Sequence, residues 1–197
     1  RIAQQSPMLE TDFLNNGVRP VFAWATPSYD IFSKGKEVRV PEDLKGLKVR
    51  TAGGVLSEAV KYGGATPVQL SEQEVYEGFD KGVIHAVHMN GITFDSYSMG
   101  EIGEYATQGL GFSGAGVGFV INEEVYQKLP ENIQKAIMQA GEEIAESSSQ
   151  FYDPENNKTF TKFKETANMT IHELSEEEKQ QWADFYNDFN EYWKEEQ

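Results

Sequence analysis

The stretch from Pro41 to Gly91 constrains this chain more than any other, because short β-prone runs alternate there with helical patterns. Leu47 to Arg50 reads as a strand that breaks at Ala52-Gly53-Gly54. A helical run follows with Val55, Leu56, Ala59, Val60 and Tyr62 apolar. Pro67 to Leu70 gives a second strand. Ser71-Glu72-Gln73-Glu74 then forms a capping box, in which Ser and the Glu three residues on satisfy each other's backbone at a helix start. That helix carries Val75, Tyr76 and Phe79, stops near Gly82, and is followed by a third strand over Val83 to Val87. Strands alternating with helices of this length specify βαβ units and a parallel sheet. Ligands of such sheets bind at the carboxyl ends of the strands, where this sequence places Arg50.

Arg50 admits two readings. An arginine after a strand is commonly a surface or ion-pair residue. A guanidinium at a strand end also grips a carboxylate through two parallel charge-assisted hydrogen bonds, which a lysine ammonium cannot reproduce.

The 197 residues suffice for one or two domains with a substantial core. With 32 acidic and 17 basic residues the net charge is -15, which argues against nucleic acid or anionic lipid as a partner, since both require clustered Lys and Arg. The chain has no Cys, which excludes disulfides, thiolate metal sites and Cys nucleophiles. No apolar run approaches the roughly 18 residues of a membrane span. The opening RIAQQSPMLE reads as mid-sequence, so a processed or truncated piece is expected.

Upstream, Arg1 to Asn16 reads as a helix end closed by Gly17, Val18 to Ala25 as a strand entered through Pro20, and Tyr29 to Phe32 as a short extended piece. Downstream, Phe94 to Tyr105 has a loose helical spacing, and Val117 to Ile121 reads as a strand before a short helix capped by Asn122. Ile133, Ile137, Ala140, Ile144 and Phe151 form one apolar face of a longer helix. Pro154 is expected to kink or interrupt it before Phe160 and Phe163 resume the pattern. Met169 to Glu173 reads as a final strand. Ser175 to Glu178 opens a terminal helix whose stripe Trp182, Phe185, Phe189, Tyr192 and Trp193 has core spacing.

Catalytic patterns are missing. The glycine-rich GLGFSGAGVG lacks the Lys-Ser/Thr of a phosphate loop, and its GAGVGF lacks the third Gly of a dinucleotide fingerprint. A hinge crossing or close backbone packing is the reading for it. His85 and His88, three apart in a strand, point to opposite faces and do not form a metal pair, so a buried or edge histidine is the reading, while His172 is expected in solvent beside the acidic terminal helix. No serine stands in a G-x-S-x-G elbow. The chain reads as a binder with no cofactor and no metal.

Three segments in register, DLKGLKVRTAGG, GATPVQLSEQEVYEGFDKGVIHAVHMNG and FVINEEVYQKLPENIQKAI, together resemble the solute-binding proteins of TRAP transporters, over the C-terminal two-thirds of that family only. The resemblance implies a periplasmic-binding-protein-like α/β clam: two lobes with mixed or parallel sheets flanked by helices, the first lobe incomplete. Residues 1–27 and 116–155 would form the partial first lobe, and 28–115 the second lobe with the ligand arginine. Residues 156–197 would supply a crossing helix, the final strand and a C-terminal helix packing on the lobes.

By position, Arg50 matches the family arginine that clamps the substrate carboxylate. Met89 stands where the family often has a ligand-binding Asn, with Asn90 one residue on. Asp30 stands where sialic-acid-type members carry a second arginine, which counts against that ligand. Tyr29, Trp24, Phe94 and Phe112 are the aromatic candidates for pocket walls. The implied function is an extracytoplasmic receptor, periplasmic and free or lipid-anchored, that captures a small organic acid between two lobes and delivers it to the membrane subunits of a TRAP permease. The alternative is a ligand-sensing domain of the same fold feeding a signalling protein. Neither is an enzyme.

Overall fold

The computed structural model describes residues 7–112, 114, 116–167 and 169–195, with the side chains of Glu72, Gln73, Phe112 and Ser149 left out of the description. The strands are β1 (Val18–Ala25), β2 (Tyr29–Ser33), β3 (Lys48–Arg50), β4 (Thr66–Val68), β5 (Ala86–Met89), β6 (Tyr105–Phe112), β7 (Gly116–Asn122) and β8 (Thr170–Glu173). The helices are α1 (Val55–Tyr62), α2 (Glu72–Asp80), α3 (Gly91–Ser96), α4 (Glu123–Lys128), α5 (Glu131–Thr166) and α6 (Glu176–Glu195). The chain divides into two compact units, Arg1–Pro27 with Gly114–Pro154 and Ser28–Ser113 with Glu155–Gln197.

The second unit holds a six-stranded mixed sheet in the order β4-β3-β5-β2-β6-β8. Strands β3, β4 and β5 run parallel, as the βαβ pattern of residues 41–91 requires, and β6 runs parallel to β8. Strand β2 inserts antiparallel between β5 and β6. One face of the sheet packs Ile31, Val49, Ala86 and Leu110 against α1 and α6, including Ala59, Val60, Trp182 and Phe189. The other packs Phe32, Val87 and Met89 against Phe79 of α2, Phe94 of α3 and Phe160 and Phe163 of α5. Alternation along each strand produces the two cores, since neighbouring residues point to opposite faces.

Local chemistry sets the element ends. The Glu74 carboxylate accepts from the Ser71 backbone N–H at 3.0 Å and from its hydroxyl at 2.7 Å, opening α2. The Ser175–Glu178 box opens α6 in the same way. Trp182 on that helix is fully buried and donates its indole N–H to the Arg39 carbonyl at 2.8 Å. The third strand of the central stretch starts later than its apolar run suggests, at Ala86. Val83 and Ile84 instead close the turn after α2 by donating to the Gly78 carbonyl.

The first unit has a two-stranded antiparallel sheet of β1 and β7. Arg19 on β1 forks onto the Glu123 carboxylate with two bonds of 2.7 Å and covers the Tyr126 ring. Residues 1–6 of the predicted N-terminal helix lie outside the described residues; Leu9–Asn16 forms short helical turns that end at left-handed Gly17.

Helix α5 runs unbroken through Pro154, so of the kink or interruption expected there the interruption does not occur. A proline removes one backbone donor and crowds the preceding turn, at a cost of about 3 kcal/mol. The turns that follow anchor the helix nonetheless, through buried Asn156, Phe160 and Phe163. On the apolar face expected before Pro154, Ile133, Ile144 and Phe151 are exposed. His172 differs as well. It is part-buried and 2.9 Å from the Glu178 carboxylate.

Candidate functional site

The carboxyl ends of β3, β4 and β5 come together with the start of β2 and the end of β6, whose residues Tyr29 and Phe112 pair across the sheet. After Arg50 the chain turns into α1 within four residues. Gly53 and Gly54 make this turn with φ of 91° and 57°, a region that glycine enters without the Cβ penalty. Thr51 pins the turn. Its buried hydroxyl lies 2.6 Å from the Ser57 hydroxyl and accepts from the Gly53 N–H at 3.3 Å. The turn thereby fixes the backbone from which Arg50 projects.

Arg50 is half-buried, and among the described residues its buried Nε has no hydrogen-bond partner. The contrast with the other described arginines is sharp. Arg19 is neutralised by Glu123 and Arg39 by Glu37, whereas no described carboxylate pairs with Arg50.

Two buried titratable groups stand at the same end of the sheet. His88 is 0% exposed, with its ring edge-on to Tyr29 at 5.4 Å. Burial, helped by the Arg50 charge, pushes its pKa down to about 3, so the imidazole is neutral. Asp30 is 2% exposed and accepts from the Gly109 N–H at 2.9 Å. Burial raises its pKa to about 7, against the pull of the Gly109 and Leu110 amides. Gly109 and Gly111 are both left-handed and carry the irregular register of β6 against β2.

The predicted site residues fall into three groups. Arg50, Tyr29, Met89 and Asn90 come to one end of the sheet, although the last two are occupied. Met89 is buried in the core, and the Asn90 side-chain oxygen Oδ1 accepts from the Thr93 N–H at 2.9 Å to cap α3. Phe94 belongs to the core, stacked on Phe32 at 3.9 Å with no exposed surface. Trp24 lies in the first unit, stacked on Phe22 at 5.4 Å and on Tyr152 at 6.3 Å. Phe112 ends β6 opposite Tyr29, and its side chain lies outside the described residues. Among the described residues no group of three potential ligands could hold a metal ion.

The model of the bacterial extracellular solute-binding proteins, family 7, matches residues 2–197. The chain belongs to this family. A similar family-7 relative is the C4-dicarboxylate-binding periplasmic protein DctP of Rhodobacter capsulatus, 25% identical over 90% of this chain and 53% of its own length. Among solved structures, a TRAP periplasmic solute binding protein of Pseudomonas aeruginosa with bound L-malate has a TM-score of 0.86 at 16% identity, covering 98% of this chain and 67% of that one. One of Shewanella oneidensis with bound succinate has a TM-score of 0.85 at 20% identity, covering 99% and 64%. Over the stretch they cover, the family-7 chain therefore shares the α/β fold of these structures. The chain spans about half the length of the curated relative from Rhodobacter capsulatus.

Sequence reasoning about this family-7 chain missed the neighbourhood of Arg50. His88 is buried, as the reading of a buried or edge histidine expects, but its place beside Arg50 is not part of that reading. The pairing of Arg50 with Val87 across β3 and β5 is what sets it near the guanidinium. The central run of alternating strands contained that signal, one residue away. The Asp30 carboxylate needed knowledge that β2 lies between β5 and β6, which no local pattern carries.

Proposed function

We propose that this chain is the carboxylate-gripping part of an extracytoplasmic, periplasmic solute receptor that delivers a small organic acid to a TRAP-type membrane permease. It holds the acid without transforming it. The observation that carries the reading is Arg50: among the described residues it is an arginine with no acidic partner, its Nε buried and unbonded, at the carboxyl end of a parallel strand. A planar guanidinium placed there offers a carboxylate two parallel bonds. The names of the relatives, which bind C4-dicarboxylates, support the same chemistry. In this reading residues 28–115 form the arginine-bearing lobe with 156–197 packed on it, and residues 1–27 and 116–155 belong to the first lobe.

Isothermal titration with a panel of small organic acids tests it. Arg50→Ala should weaken the best-bound acid by at least about thirtyfold, the cost of removing one partner of a buried charge pair. Arg50→Lys should recover only part of that loss, since it keeps the charge and loses the fork. Equal affinity in wild type and Arg50→Ala rejects the assignment.

A further inference from the structure

Strand β3 has three residues and ends on Arg50, which stands opposite Val68 of β4 and Val87 of β5. The chain keeps this register for one step more, because the Thr51 N–H donates to the Val68 carbonyl at 3.4 Å. Neighbouring residues of a strand point to opposite faces, so the side on which Thr51 is held decides the side to which Arg50 points. Val49 packs in the core that α1 and α6 cover, and Thr51 is tied to α1 on that same face through Ser57. Arg50 is thereby presented to the other face, where Val87 packs.

The tie is a buried polar one. Thr51 is 2% exposed and Ser57 9%, and with their hydroxyl oxygens 2.6 Å apart one donates to the other. Apolar side chains would fill the same space without needing partners, so what the two hydroxyls add is direction. The residues that follow explain why direction is needed. Gly53 and Gly54, both left-handed, are the most permissive backbone a turn can contain and lend the strand end no stiffness of their own. The Gly53 N–H donates to the same Thr51 hydroxyl, which joins the turn to the tie.

We propose that the Thr51–Ser57 hydroxyl pair is a positioning element for solute binding: it fixes the end of β3 so that both donors of the Arg50 fork meet the carboxylate in line. The proposal rests on the carboxylate reading above and adds to that site two residues that act through Arg50. A fork demands alignment, because its two parallel bonds weaken together as their angles close. A lysine ammonium is a point charge with rotating donors and makes no such demand. That difference separates positioning from general stiffening of the fold.

The test is calorimetric titration of the full chain with succinate, L-malate and pyroglutamate, continued with whichever binds best. Thr51→Val keeps the branched shape without the hydroxyl and should weaken that acid by about tenfold; Ser57→Ala should do the same from the α1 side. Either variant carries the test if the other does not fold. Thr51→Ser keeps the hydroxyl and should stay within about threefold of wild type. On an Arg50→Lys background the Thr51→Val and Ser57→Ala losses should shrink to less than about twofold, since no fork remains to be aimed. Losses as large on that background as in wild type overturn the proposal and leave the carboxylate site standing. So do affinities unmoved by Thr51→Val and Ser57→Ala, or a Thr51→Ser variant as weak as Thr51→Val. Binding of no acid, or binding indifferent to Arg50→Ala, overturns the proposal and the carboxylate reading together.

Discussion

Asp30 makes a prediction that depends on its own burial and not on any ligand. Its carboxyl group stays protonated up to about pH 7 in the fold, because burial penalises the charge more than the Gly109 and Leu110 amides favour it. In the unfolded chain it ionises near its ordinary value of 3.8. Between these values the folded state binds the extra proton, so the Asp30 contribution is complete below about pH 4 and is lost as pH rises through 7. His88 works in the opposite sense. Its pKa of about 3 lies below the ordinary 6.5, so its contribution is present above 6.5 and lost as pH falls towards 3. Comparing Asp30→Asn with wild type isolates the first effect. From pH 5 to 8 the wild type should lose roughly 2–3 kcal/mol relative to the variant by urea denaturation. Parallel stability curves for the two proteins would show that the carboxyl group is not shifted.

At the scale of elements, α3 shows how the strand end bearing the site is held. It has only six residues, so its first N–H groups dominate its stability. Asn90 takes the Thr93 N–H, and Asn156 of α5 takes those of Gly91 at 2.8 Å and Ile92 at 3.3 Å. Position 91 admits only glycine comfortably, since a Cβ there would stand 3.1 Å from both the Asn156 oxygen and the Phe160 ring. Asn156→Ala leaves two donors without their acceptor and should cost about 1–3 kcal/mol in thermal or chemical denaturation. Asn156→Asp keeps an acceptor and should cost less. Stability of Asn156→Ala within error of wild type would remove this role. The same element marks the limit of sequence reading. Helices α1 and α2 and the parallel strands beside them were legible because their signals lie within a few residues of one another: two glycines after Arg50, a capping box at Ser71, period-two apolar runs. The Asn156 cap lies 65 residues from Gly91, and β2 finds its place between strands 50 to 80 residues further on, so neither has a local signature. Asn90 was legible as a polar residue at a strand end. Its use as a helix cap became visible only with the start of α3 in place.

Across the whole molecule, buried apolar surface is distributed unevenly, and stability should follow it. Both described core clusters consist of residues of the second unit. In the first unit the sheet has two strands, and Phe119 at 58%, Phe151 at 59%, Val120, Val125, Ile133 and Ile144 stand exposed. Phe22, Trp24 and Phe119 stack on one another at 5.0 to 6.2 Å and bury part of that surface among themselves. A two-stranded ribbon is marginal in water without a further layer, whereas six strands packed on both faces are not. Native-state amide exchange reads this difference directly, because local opening free energies range from near zero to the global value. Amides of β1 and β7 should exchange at least a hundredfold faster than those of β2 and β5, whose strands are hydrogen-bonded on both sides. Comparable protection in the two sheets would mean that the aromatic stack and the Arg19–Glu123 fork hold the first unit as firmly as a buried core. The strand end carrying Arg50 belongs to the second unit, so the same experiment should find the backbone around Arg50 among the better protected segments.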